Sequence, residues 1–323
     1  MKNGSAEEIK FESEIEDFDI YLSEEETIPV LGSKSHEGNL HVFTPAVPFS
    51  PGSNFEIRSD SVILAKFSVK IDSALSRPEI LHIYPTTDTI PQNLLKIYIE
   101  FSEPMQNIGS TNEFIEVWNL STQKQVPIFL KLENELWNQD RSMLTLWLDP
   151  GRIKKDLIPN REMGMPLEAE NLYEIRVSQK WQSAKGNELP EDYFKRLYVI
   201  KEDKSKPIPK QWKLHLPDIG SHDILKIDFN EVMDSQLALE TISIFNDKQQ
   251  ELRGDFQLQS NETGITFEPL QNWDKGTYMI KIEARLEDLA GNNLNRLFDT
   301  DLSQTDSNYA KEVGYYYLHF NLK

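Results

Sequence analysis

LKIYIEFSEPMQ, residues 95–106, sets Leu95, Ile97, Ile99 and Phe101 on alternate positions and then breaks into Ser-Glu-Pro-Met. A period of two over seven residues reads as a half-buried β-strand, and the proline ends it. LKIDFNEVMD, residues 225–234, repeats the arrangement: Leu225, Ile227 and Phe229 alternate, and Glu231 and Met233 follow at the offsets of Glu103 and Met105. The same elements follow each copy in the same order. After the first come FIEVWNLSTQKQVPIFL (114–130), LTLWLDPG (144–151) and LYEIRVSQKWQSAKGNEL (172–189); after the second come ISIFNDKQQELRG (242–254) and GITFEPLQNWDKGTYMIKIEARLEDLAGNNL (264–294). Tyr173 stands 13 residues before Gly186 and Tyr278 stands 13 before Gly291, with Asn187 matching Asn292 and Leu189 matching Leu294. Internal repetition with conserved spacing means that one supersecondary unit is built more than once.

A third, incomplete copy lies upstream. IPVLGSKSHEGNLHVFTPAVPFSPGSNFEI (28–57) follows the order of residues 252–282, with Pro45 matching Pro269 and Phe55 matching Tyr278, but no Phe-x-Glu-x-Met element precedes it. This first unit is either a partial sandwich completed by residues 8–22 or one whose opening strand lies outside the chain. Short alternating runs punctuated by Asp-Pro-Gly, Ala-Gly-Asn and Pro-Gly, with almost no sustained 3.6 period, predict an all-β chain. The expected fold class is a tandem array of immunoglobulin-like antiparallel β-sandwich modules. The expected layout is a flexible acidic arm (1–17), a partial module (18–77), a sandwich with a long inserted loop at 151–169 (78–203) and a sandwich with a C-terminal strand (207–323). SALSRPEIL (73–81) and EDKSKPIPKQW (202–212) read as linkers stiffened by proline.

The length of 323 residues implies two or three domains. With 53 acidic against 34 basic residues and a net charge of −19, the chain repels phosphate backbones and anionic membranes, so nucleic acid is not an expected partner. The absence of cysteine removes disulfides, thiolate metal sites and cysteine nucleophiles. No apolar run approaches the ~20 residues of a membrane span, and residues 1–10 have no secretory-signal pattern. Residues 7–26 hold ten acids and one lysine, a solvated charge block with Ile15, Phe18, Ile20 and Leu22 spaced for one edge strand.

IYPTTDTIPQNLLKIYIEFSEPM (83–105) resembles the opening of a surface-layer-type (SbsA-type) bacterial immunoglobulin-like domain. FNEVMD keeps that pattern's Phe, Glu and Met, and GTYMIKIEARLEDLAGNNL (276–294) resembles the closing hairpin with its Asp-x-x-Gly-Asn turn. The two clear copies cover roughly residues 80–300. The resemblance implies a non-catalytic cell-surface or secreted protein, structural or adhesive, extracellular or periplasmic, that meets a protein or glycan of the envelope. It departs from the pattern where Ser183 replaces the aspartate found at Asp288.

Glu103 and Glu231 are expected to accept backbone N–H bonds at their strand ends, and Met105 and Met233 to plug cores. The six histidines form no HxH or HExxH pair, and no nucleophile elbow, Walker loop or dinucleotide fingerprint occurs. No cofactor is expected; the many acids leave calcium possible, although no Asp-x-Asp-x-Asp-Gly loop is present. A hydrolase would require two carboxylates facing each other in a cleft between modules.

Two features point to binding. The first is the inserted stretch 151–169, since Pro150 to Tyr173 spans 23 residues where Pro269 to Tyr278 spans 9. It gathers Arg152, Lys154, Lys155 and Arg161, which would suit a carboxylated glycan or an acidic partner, or would pack on a neighbouring module and pair with local acids. The second is tryptophan: Trp137, Trp181, Trp212 and Trp273 lie near turns, where exposed rings stack on sugars and buried ones fill cores. Arg152, Lys154, Lys155, Arg161, Trp181 and Trp273 are therefore the candidate interaction residues, and a carbohydrate-binding protein using them is the alternative function. GYYYLHFNL (314–322) alternates as a strand and is expected to pair with an earlier sheet.

Overall fold

The computed structural model describes residues 8–12, 15, 17–23, 28–49, 52–60, 62–69, 77–107, 109, 113–155, 157–299 and 313–323. Residues 1–7 of the expected arm and 73–76 of the expected linker fall outside the described residues. The chain is all-β, with immunoglobulin-like sandwiches built from short strands around three apolar cores.

The first core lies between two three-stranded sheets. β1 (Ile9–Glu12), β4 (Leu40–Pro45) and β3 (Gly32–Glu37) form one; β2 (Asp19–Leu22), β5 (Asn54–Ser59) and β6 (Val62–Ser68) form the other. Phe18, Ile20, Phe43, Phe49, Phe55 and Ile57 fill the space between them. Residues 9–12 correct the flexible-arm expectation, because they pair antiparallel with β4. Ile9 and Phe11 pack on the core, Phe11 edge-on to Phe18 at 4.8 Å, while the intervening Lys10 reaches Glu37. A charge block thus hides a strand in which only every second residue needs to be apolar.

The second core lies between β12 (Leu136–Trp137), β13 (Met143–Trp147), β9 (Lys96–Phe101) and β7 (Ile80–Tyr84) on one side and a five-stranded sheet on the other. That sheet runs β11 (Lys124–Gln125), β10 (Ile115–Asn119), β14 (Leu172–Val177), β15 (Tyr193–Ile200) and β8 (Thr89–Pro91). One pairing departs from the antiparallel expectation: β8 runs parallel to β15. The chain leaves β7 and crosses to the opposite sheet within residues 85–88, where it lies beside a strand of its own direction. The inserted stretch carries two short helices, α1 (Pro150–Ile153), capped by Asp149, and α2 (Ile158–Met163).

The third core is enclosed by β16 (Lys213–His215), β17 (Leu225–Asp228), β20 (Gly264–Pro269) and β19 (Gly254–Leu258) facing β18 (Ile242–Phe245), β21 (Gly276–Glu283) and β22 (Tyr315–Leu322). The short helix α3 (Ser235–Glu240) precedes β18. The C-terminal strand pairs along its whole length with β21, from Gly276 opposite Leu322 to Glu283 opposite Tyr315.

Matching residues of the copies take matching positions. Met105 bridges Ser183 as Met233 bridges Asp288, and Gln182 bridges Glu188 as Glu287 bridges Asn293. In the incomplete first copy, Gly32 pairs with Pro45 as Gly254 pairs with Pro269. Added Cβ atoms there would stand 2.4 Å from the Phe43 ring and 2.6 Å from the Phe267 ring, so each glycine lets a core phenylalanine lie flat against its neighbouring strand. No helix among the described residues is long and apolar enough to cross a membrane.

Candidate functional site

The densest polar arrangement in the described residues joins the second and third cores. Its centre is β9, whose inward residues Ile97, Ile99 and Phe101 are core while Lys96 and Tyr98 face the other way. Tyr98 is nevertheless buried, because the third module covers it. Lys96 Nζ lies 2.8 Å from Glu287 and 3.2 Å from Asp234, and Tyr98 Oη donates to Asp234 Oδ2 at 2.7 Å. Asp234 also caps α3, its Oδ1 accepting from the backbone of Gln236 and Leu237. Burial alone would pull the lysine's pKa down; the carboxylates of Asp234 and Glu287 outweigh it and hold the ammonium above its usual range. Desolvation and Asp234 push the Tyr98 phenol upward, so it stays a donor.

A second link runs from the turn between β19 and β20. Glu262, buried and left-handed in backbone, accepts from Thr86 N at 2.8 Å and Thr86 Oγ1 at 2.6 Å, and Lys195 Nζ donates to the Thr86 carbonyl. A third link is the turn 288–292. Leu95 N donates to the Leu289 carbonyl, Leu289 and Phe298 pack on the second core, and Asn292 Nδ2 donates to the Ser205 carbonyl.

Beside this turn three acids converge. Oxygens of Asp203, Glu231 and Asp288 all lie within 4.8 Å of one another. Asp203 is fixed to the second module by reciprocal bonds with Asn93, whereas Glu231 and Asp288 belong to the third. Burial pushes Asp288 up to about 8, with Asp203 adding to the rise, and burial together with Asp203 pushes Glu231 up to about 7. The donor set suits a held proton better than calcium. Calcium takes six to eight oxygens, and the Asp288 carboxylate already accepts from Ala290 N, Asn292 N and Asn292 Nδ2.

The second module's copy of this corner is built differently. Glu103 is paired with the Lys185 ammonium, which rises from the closing turn at the position of Ala290, and Ser183 stands where Asp288 does. Neither Glu103 nor Glu231 accepts a backbone N–H among the described residues, contrary to the expectation. In one copy a lysine answers the glutamate; in the other no donor among the described residues reaches it.

The candidate interaction residues are dispersed. Trp181 and Trp273 are each only 1% exposed, which removes both as sugar platforms. Trp181 stacks on Phe114 at 5.6 Å and meets Phe101 edge-on; Trp273 meets Tyr278 and Phe320 and donates to the Asp223 carbonyl. Trp212 is likewise buried, against Phe229, and Trp137 packs on the second core. Arg152 spends its guanidinium on the carbonyls of Pro127, Gly164 and Met165, closing the insertion on itself. Lys154 lies 4.6 Å over the Phe298 ring, and Lys155 Nζ pairs with Glu202 while its amide donates to Asp299. Arg161 sits exposed on α2. The insertion therefore packs against residues 298–299 of the third module and against the connection between modules.

Residues 217–305 match the family described as bacterial Ig-like domain. The third module is a bacterial Ig-like domain. No curated protein matches the chain. Among solved structures, native alpha-2-macroglobulin from Escherichia coli is similar at 12% identity and a TM-score of 0.27, over 64% of this chain and 66% of that one. Domains 1–6 of the surface layer protein SbsC align at 11% identity and a TM-score of 0.27, over 65% of this chain and 24% of that one. The FN1–FN3 domains of chicken CNTN1 align at 10% identity and a TM-score of 0.24, over 95% and 90%. The chain spans less than two thirds of the length of either bacterial protein. Within the bacterial Ig-like domain itself, Asp234, Glu262, Glu287 and the 288–292 turn are the parts that meet the preceding module. Sequence reasoning missed the first three, because their partners lie more than 130 residues away.

Proposed function

We propose that this chain is a non-catalytic structural protein of the bacterial cell surface, extracellular or periplasmic, in which the second and third modules act as one stiff unit. The observation that carries this is the buried ion network of Lys96 with Asp234 and Glu287, joined by Tyr98. Such a network has one well-satisfied geometry, and sliding or bending the modules would strand charges away from water. Glu262 on Thr86 and the basic insertion against Phe298 fix the same joint from two further sides. The insertion is thus read as a strap across the joint. An adhesive role falls to surfaces outside it.

The absence of cysteine makes a direct test simple. Spin labels at K124C in the second module and K248C in the third, both exposed, report the distance distribution between modules. A single narrow distribution is expected, broadening when K96M is added. A broad distribution in the unsubstituted protein, or one that K96M leaves unchanged, would overturn the stiff-unit reading.

A further inference from the structure

The outer face of the sheet β18–β21–β22 carries an assembly that neither the joint nor the third core uses. β21 turns Tyr278, Ile280 and Ile282 inward and Met279 and Lys281 outward. The pairing sets Met279 between Phe245 and His319, and Lys281 between Ser243 and Tyr317. Tyr315 and Tyr317 are 44% and 49% exposed, a large aromatic surface for a strand end of so acidic a chain. The Lys281 ammonium lies 4.0 Å from the Tyr315 ring and 5.8 Å from that of Phe245, and no carboxylate pairs with it among the described residues. Phe245, Gln249, Met279, Lys281, Tyr317 and His319 line a shallow depression of about 330 Å³.

We propose that this depression binds a carboxylated sugar, a hexuronate unit of an acidic glycan. The C–H face of a pyranose stacks on flat rings, and the rings of Phe245 and Tyr317 stand on strands either side of β21, about 10 Å apart by the usual strand spacing. Lys281 between them has no carboxylate partner among the described residues, and a carboxylate on the sugar supplies one. The Gln249 amide and the His319 ring offer donors and acceptors to hydroxyls. An extended peptide is the poorer fit, since peptides add to sheets along an edge, whereas this depression lies on a face whose backbone groups are already paired. Its volume sits at the lower end for small-ligand sites, which suits one or two sugar rings. The net charge of −19 repels long polyanions at a distance, so a short oligosaccharide is the fitting ligand.

The test titrates the full chain at pH 7 by calorimetry with trigalacturonate and trimannuronate, alongside uncharged maltotriose and triglutamate. Saturable binding of at least one uronate is expected, with maltotriose and triglutamate at least tenfold weaker. K281Q and Y317A should each weaken it at least tenfold without moving the melting temperature, because both side chains project outward. Absence of uronate binding, equal binding of maltotriose or triglutamate, or affinity that survives both substitutions would overturn the proposal. The distance measurement across the joint is independent of every one of these outcomes.

Discussion

A Cβ on Gly291 would stand 2.4 Å from Leu95 Cδ2, so the closing turn of the third module fits against the second because residue 291 has no side chain. Its φ of +77° imposes a second requirement for glycine. G291A should combine left-handed strain of roughly 1–2 kcal/mol with overpacking of about 1–3 kcal/mol. Gly220, at φ +75° with nothing within 4 Å, supplies the control. Calorimetry should show G291A melting well below G220A; equal losses would mean that the approach to Leu95 costs nothing.

Lys96 and its two carboxylates are expected to behave as a coupled set. Removing the cation in K96M leaves Asp234 and Glu287 buried against each other, a loss of about 3 kcal/mol, at the low end for a broken buried pair because Glu287 is partly exposed. Y98F deletes one bond to Asp234 and should cost about 1 kcal/mol. Adding E287Q to K96M should recover part of the loss. Denaturant titration of the parent chain, Y98F, K96M, E287Q and the K96M/E287Q double variant checks this, and strict additivity of K96M and E287Q would argue that the two side chains do not interact.

In the second module, Lys185 should matter through Glu103 alone. K185A strands a buried carboxylate and is expected to cost about 1–2 kcal/mol, a figure reduced because Lys185 is a third exposed. E103Q in the same background should restore most of it. A double-mutant cycle with no interaction energy would show that the pair is incidental.

Arg152 ties the insertion shut through three carbonyls, so R152S should open residues 152–165 while leaving the sandwich intact. Limited proteolysis is the measurement: cleavage within the insertion should speed several-fold with little change in melting temperature. Resistance equal to the parent chain would place the clamp elsewhere, with Lys154 on Phe298 and Lys155 on Glu202 and Asp299 among the other ties.

The sandwich was legible because alternation is local: Leu95, Ile97, Ile99 and Phe101 declare one face of a strand whatever surrounds them. The joint was not, because Lys96 and Tyr98 occupy the complementary positions of the same strand and read as solvent-facing until the third module is laid over them. Trp181 and Trp273 misled for the same reason in reverse. Proximity to a turn says where the backbone lies and not which way a ring points, and both rings point into cores. The substitution of Ser183 for Asp288 was visible in sequence, but its counterpart, Lys185 in place of Ala290, acquires meaning only once Glu103 is seen beside it. The basic insertion was legible as an oddity of length and charge; its choice between an external partner and the neighbouring module depended on Phe298, Asp299 and Glu202, which no local pattern connects to it.

The acids at the joint give the protein a pH dependence whose sign follows from their environment. Asp288 and Glu231 are pushed up to about 8 and about 7, from ordinary values of 3.8 and 4.5, chiefly by burial. Between about pH 4 and pH 8 the folded chain therefore binds more protons at these two sites than the unfolded chain does. Stability from this source is greatest at the acid end, falls as pH rises through that window and levels off above pH 8. Glu174, held low by Arg196 and Arg176 against the opposing effect of burial, and Asp228, held low first by His215, act in the opposite sense and lose their contribution in stronger acid. E231Q isolates the alkaline limb, since among the described residues no donor reaches the Glu231 side chain and its amide replaces a protonated acid of the same shape. Melting temperature should rise by about 2–4 °C at pH 8.5, corresponding to about 1 kcal/mol for a group only partly buried, and should hardly change at pH 4.5. The same profile in E231Q as in the parent chain would mean that the three carboxylates sit far enough apart in solution for water to screen them, and the joint would then have to be looser than its hydrogen bonds imply.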